Sequence, residues 1–349
     1  MNSQFHSCQV EFSRLKAERQ GAQGAEGAFL ATSHQPLATF PYPSSFILPL
    51  RGSKLHPSSF PSFLLKTTLA LGISIAANVG LATPLLALQV QVTPTKPHLG
   101  DTLSVVIKPD QPMTNSISVR LNQKNYPAFA VAPNVYRALL PTTPLEKPGK
   151  RLLRVSSPDG QVRNLAVWVG DRKFPVQRIY LRPGKAGLEA TQHELERVAA
   201  LKQLVTPQKF WNGRFVKPNR GRITTIYGVR RYYNGKFAKD YYHRGVDYAG
   251  AAGSPVVAPA AGRVALVGLV SQGFRVHGNI VGIDHGQGVT SVFLHLSRIN
   301  VKEGAFVKAG QVIGAVGSTG ASTGPHLHWG LYVQGESVDP TPWRDRGLN

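Results

Sequence analysis

The chain is 349 residues long and carries 40 Lys+Arg against 18 Asp+Glu, a formal charge of +22, with 35 Gly, 26 Pro and a single Cys. That length suggests two domains with cores of their own, and the composition excludes collagen, coiled coil and a disulfide scaffold. The charge calls for an anionic partner, and Cys8 alone forms neither an intrachain disulfide nor a thiolate metal site, so any metal must be held by His, Asp or Glu.

Residues 1–60 are rich in Ser, Pro, Gly, Gln and Phe without a period of 2 or 3.6, and read as a disordered leader. Residues 67–95 contain no charge, and the apolar run 67–77 follows Lys66, Lys54 and Arg51. Residues 61–87 therefore read as a signal peptide or membrane anchor, with Ala82 and Ala87 as cleavage positions. Gly72, Asn78, Gly80 and Pro84 make a poor spanning helix and favour cleavage. The leader is much longer than an ordinary n-region, which points to a start downstream of Met1. The expectation is an exported chain, in the periplasm or cell wall, whose mature part lacks Cys and carries a charge of +19.

Residues 88–181 hold short alternating runs at 88–92, 102–108, 116–121, 129–131, 136–140, 151–155 and 165–169, separated by Gly, Pro, Asn and Asp. This spacing predicts an immunoglobulin-like β-sandwich, serving as a spacer or binding module. Within 182–209 the period changes. Leu188, Leu195, Val198, Leu201 and Val205 recur at helical spacing, with Glu194, Glu196, Arg197 and Lys202 opposite and Pro207 as a stop, so a connector helix is expected. Residues 210–349 return to strand-like, glycine-rich sequence, as a compact β domain requires. The fold class is mainly β.

Six of the 11 histidines fall between His243 and His328. In His243-Arg-Gly-Val-Asp247 an extended chain would project the imidazole and the carboxylate to one side, with only the Gly245 hydrogen between them. Alone, a hydrogen-bonded His–Asp pair on a sheet explains this pattern equally well. In Pro325-His326-Leu327-His328 the two imidazoles share a strand face while Leu327 turns to the core. Together the patterns offer His, Asp and His with a fourth position open, the description of a catalytic zinc site. After residue 210 the only glutamates are Glu303 and Glu336, neither in an HExxH context, so a histidine must act as base. His295 and whichever of His326 and His328 is not a ligand are the candidates. His285 reads as a structural residue in a turn, and His277 as a surface loop residue.

In this order, Tyr227-Gly228, His243-x-Gly-x-Asp247, Gly253-Ser-Pro-Val256, Asp284-His-Gly286, His295-Leu-Ser297, Gly304-x3-Lys-x-Gly310 and the run from Gly317 to His328 resemble the lysostaphin- and LytM-type zinc endopeptidases of bacterial peptidoglycan. The resemblance spans residues 213–343. It implies a two-sheet antiparallel β domain in which His243, Asp247 and His328 bind Zn2+ while His295 and His326 serve acid–base and oxyanion roles. All five positions are filled, unlike in members that have lost ligands and only activate other wall hydrolases. Phe293 departs from the pattern, since many members have a tyrosine two residues before the catalytic histidine. The implied substrates are peptidoglycan stem peptides and cross-bridges, with anionic cell-envelope polymers as partners. Loops 229–242 and 271–278 would choose the bond.

Three other readings are weaker. The 304–314 hairpin is similar to biotinyl and lipoyl carriers, but no Lys follows Lys308. The Thr-Gly repeat at 319–324 lacks the Gly-Lys-Ser/Thr of a phosphate loop. The basic residues divide almost evenly between 88–208 and 209–349, without a nucleic-acid-binding motif, so nucleic acid is not an expected partner. A wall-binding regulator on the same fold is the remaining alternative.

Overall fold

The computed structural model describes residues 88–111, 117–181 and 188–348. The expected leader, the 61–87 segment and Cys8 lie outside the described residues. Among the described residues no helix is long and apolar enough to cross a membrane.

Each of the seven predicted runs coincides, over most of its described residues, with a strand: β1 Gln89–Thr93, β2 Thr102–Lys108, β3 Ser118–Leu121, β4 Lys124–Ala132, β5 Val135–Pro141, β6 Gly149–Ser156 and β7 Val162–Val169. Every adjacency is antiparallel, in the order β1-β2-β5-β4-β3-β6-β7. β4 is longer than its apolar run. Lys124–Pro127 pair with β3 and Ala128–Ala132 with β5, so one strand joins two halves. Asn122 and Asn134 take positive φ in the flanking hairpin turns, a conformation asparagine tolerates. Leu103, Val105, Ile107 and Leu140 from one half share a single core with Val119, Leu121, Leu153 and Val155 from the other. The orders β1-β2-β5-β4 and β3-β6-β7 are those an immunoglobulin-like sandwich calls for, and we keep that assignment as a proposal.

β8 (Val176–Ile179) leaves this sheet and runs parallel to β10 (Arg230–Tyr233), with β11 (Lys236–Phe237) beyond it. Helix α1 covers Gln192–Lys202 rather than the full 182–209. Thr191 caps it, accepting from the Glu194 N–H, and Leu188 and Val205 fall outside it. Its buried stripe is Glu194, Val198 and Leu201, packed over Leu266, Phe274, Ile280, Val292 and Tyr332. Glu194 thus lies on the inner face, not the solvent face its charge suggested.

The C-terminal part has the expected two-sheet antiparallel form. β9 (Ile223–Thr225), β12 (Val246–Ala249), β14 (Gly262–Gly268), β15 (Asn279–Gly286), β16 (Val289–Leu296), β18 (Phe306–Val307) and β20 (His326–Val333) form one sheet in the order β18-β14-β15-β16-β20-β12-β9. β21 (Glu336–Val338) pairs with β20. β13 (Pro255–Val257), β19 (Val312–Ala315) and β17 (Arg298–Ile299) form the second sheet. The core between them holds Trp329, Tyr248, Phe293, Val256 and Ile313, with Trp343 of the short helix α2 (Pro340–Asp345). At the junction with the seven-stranded sheet, Arg137 of β5 donates to Gln287 Oε1 and Leu348 O, and Trp343 Nε1 donates to Thr102.

Candidate metal centre

Asp247 on β12 stands directly across the ladder from His328 on β20. His243 precedes β12 instead of extending it, contrary to the single-strand expectation. Its backbone is held by Val229 O and the Gly228 N–H. The reason lies at Gly245, where an added Cβ would sit 2.3 Å from Trp329 O and 2.8 Å from His328 Nε2. A bare backbone passes through this gap, and the His243 and Asp247 side chains converge on either side of it.

His243 Nδ1 donates to Ile226 O at 2.8 Å, which directs Nε2 into the site. That Nε2 lies 2.9 Å from Asp247 Oδ1 and 3.0 Å from His328 Nδ1, and the latter is itself 2.9 Å from Asp247 Oδ1. These three atoms are the one group among the described residues with metal-holding geometry. A tetrahedral zinc with ligands at about 2.0 Å would set its ligand atoms about 3.3 Å apart, so the triangle needs only slight expansion. Arg231 Nη2, 3.5 Å from Asp247 Oδ2, occupies the other carboxylate oxygen. Burial would raise the Asp247 pKa, yet His243 and His328 hold it well below the usual range, so it stays an anion. Burial pushes His328 down to about 4, only partly opposed by Asp247, which keeps that imidazole neutral.

His295 and His326 form a second pair, with ring centroids 4.9 Å apart. His295 is the penultimate residue of β16, at a bulge where Asn279 and Val281 of β15 face Leu296 and Phe293, and its φ is +63°. A bulge with a left-handed residue breaks the alternation of the strand and re-aims the side chain. His295 Nδ1 donates to Thr319 O at 2.8 Å and His326 Nδ1 to Gly324 O at 2.8 Å, so each ring keeps Nε2 as its acceptor. Burial, followed by His326 and His328, pushes His295 down to about 3 and holds it neutral.

The remaining candidates separate from the site. His285 lies on β15 rather than in a turn and is fully buried, its ring nitrogens bonded to Ala261 O and Ser291 Oγ. His277 is not a free surface residue, since its Nδ1 lies 2.6 Å from Glu194 Oε1. Glu303 pairs with Arg197, and Glu336 is on β21. Phe293 is in the core. Sequence reasoning passed over Arg231 and Thr319. Thr319 falls inside a quoted motif, but its carbonyl, not its side chain, meets His295.

Residues 241–340 match Peptidase family M23. The peptidoglycan DD-endopeptidase ShyA of Vibrio cholerae is 42% identical over 97 residues, 28% of this chain and 22% of that protein. Lysostaphin of Staphylococcus staphylolyticus is 42% identical over 106 residues, 29% of this chain and 22% of that protein. The chain thus spans about one fifth of the length of these curated relatives. A crystal structure of a putative peptidase M23 from Pseudomonas aeruginosa is similar at TM-score 0.54 and 29% identity, covering 72% of this chain and 96% of that one.

Proposed function

With residues 241–340 forming a Peptidase M23 domain, we propose that the chain is an exported, zinc-dependent endopeptidase that hydrolyses peptide cross-links of peptidoglycan. The observation that carries this reading is the triangle of His243 Nε2, Asp247 Oδ1 and His328 Nδ1 beside the second imidazole pair, His295 and His326. Those three atoms would hold the ion. Two imidazoles and one carboxylate leave a fourth position for water or substrate. When bound, zinc supplies a water of lowered pKa and polarises the scissile carbonyl.

The chain's own residues supply the proton chemistry. His295 and His326 each donate Nδ1–H to a backbone carbonyl, so a proton taken from the attacking water arrives at Nε2. Whichever ring receives it becomes an acid for the leaving amine, while the other, when protonated at Nε2, donates to the developing oxyanion. Arg231 keeps Asp247 Oδ2 engaged and Oδ1 presented. The surplus positive charge would draw the chain to an anionic envelope.

The test is release of soluble fragments from purified sacculi by the full chain, with and without chelator, alongside metal analysis. Chelator-sensitive release with about one zinc per chain supports the reading. Bound metal without release would favour the wall-binding regulator.

A further inference from the structure

Thr191 and Glu194 have the spacing of a capping box, in which the glutamate would turn back to its own helix N-terminus. The structure uses Glu194 differently. Its carboxylate, with no exposed surface, accepts from the backbone N–H groups of Arg275 (3.0 Å), Val276 (3.1 Å) and His277 (2.7 Å), and meets His277 Nδ1 at 2.6 Å. Thr191 Oγ1 joins the same loop by donating to Gly273 O. Three consecutive amides turned on one carboxylate form an anion cradle filled from a distant helix. A buried charge is tolerated only when so fully satisfied, and here the hydrogen bonds outweigh burial and keep the Glu194 pKa below its ordinary value.

The cradled loop leads to His295 by two routes. His277 O accepts the backbone N–H of His295 at 3.1 Å, at the bulge where φ is positive. The Asn279 N–H donates to Thr319 Oγ1, and Val276 O accepts from Ala321, so the loop also holds the segment whose Thr319 carbonyl orients the His295 ring. The contact is tight, since a Cβ on Gly278 would lie 2.5 Å from Thr319 O. A shift of loop 275–278 therefore moves both the backbone and the ring anchor of His295.

We propose that Glu194 of helix α1, outside the matched 241–340 segment, is a positioning residue that fixes loop 275–278 and through it aims His295; this rests on the reading of the site given above.

The experiment uses the full chain with metal bound, as wild type, Glu194→Gln, Glu194→Ala and His277→Ala. Glu194→Gln keeps size but turns an amide donor toward amide donors, while His277→Ala leaves the three backbone bonds in place. Hydrogen exchange should accelerate about tenfold or more at 275–278 and 293–296 in both Glu194 variants, and less in His277→Ala. On sacculi or a cross-linked muropeptide, kcat should fall about tenfold or more, with KM within about twofold and metal content unchanged. Unchanged exchange at 293–296, or kcat within about twofold of wild type, would overturn the proposal. Loss of metal together with activity would do the same, since it would show a general structural role. Exchange is read whether or not the wild type hydrolyses the substrate, so an inactive wild type would refute the activity while exchange still decides the role of Glu194. If Glu194→Ala fails to fold, Glu194→Gln carries the comparison.

Discussion

His243 Nε2 and His328 Nδ1 lie 3.0 Å apart, each 2.9 Å from the same oxygen of Asp247. Two imidazole nitrogens and a carboxylate oxygen gather this closely when a cation can take up their lone pairs. His243→Ala or His328→Ala should therefore reduce bound zinc from about one per chain to below about 0.1 and abolish sacculus hydrolysis. Elemental analysis of the dialysed protein with a parallel release assay checks both, and full hydrolysis by either metal-free variant would sink the assignment.

Replacement of the second histidine pair should separate binding from chemistry. His295→Ala and His326→Ala leave His243, Asp247 and His328 in place, so metal content should stay near wild type. The rate should fall about 10²- to 10⁴-fold, the range general acid–base groups supply. Metal loss equal to that of His328→Ala would instead make these residues ligands.

Gly245→Ala should damage the centre through backbone sterics alone. The new methyl would press on Trp329 O at 2.3 Å and His328 Nε2 at 2.8 Å, neither of which is the end of a flexible chain. A loss of about 1–3 kcal/mol in stability is expected, with weakened zinc affinity, by urea unfolding and chelator competition. Wild-type behaviour of this variant would mean that β12 and β20 approach less closely than described.

His285 should make the fold acid-labile. Burial pushes its pKa down to about 4 from an ordinary value of 6.5. Because the folded value lies below the unfolded one, its contribution is fully present above pH 6.5 and is lost as pH falls toward 4. The loss approaches about 3 kcal/mol on this account. Urea unfolding at about pH 7 and about pH 4.5 should show it, with a smaller difference between the two pH values in His285→Gln.

Most of the scaffold was legible because period-2 patterning and turn residues are local signals. Each of the seven runs of 88–181 coincides with a strand over most of its described residues, and His326 and His328 share a face as alternation requires. Three features escaped local reading. His243 sits off the strand because of a close approach to β20, which lies far away in sequence. His295 is aimed by a bulge that strand patterning does not announce. Glu194 looked like a solvated charge because its partners are main-chain amides about 80 residues on, and main-chain donors leave no mark in composition.

The parallel pairing of β8 with β10 gives the stretch before residue 210 a practical meaning. A fragment cut at the family match, or at Phe210, would discard β8 and α1 together. Cut at Phe210 it would expose the edge of Arg230–Tyr233, cut at the family match it would lose that strand as well, and in either case the amide cradle of 275–277 would be left empty. The family match stops short of the strand and helix that brace its loops. Domain-swap hybrids built with other hydrolases should accordingly take their junction upstream of Val176.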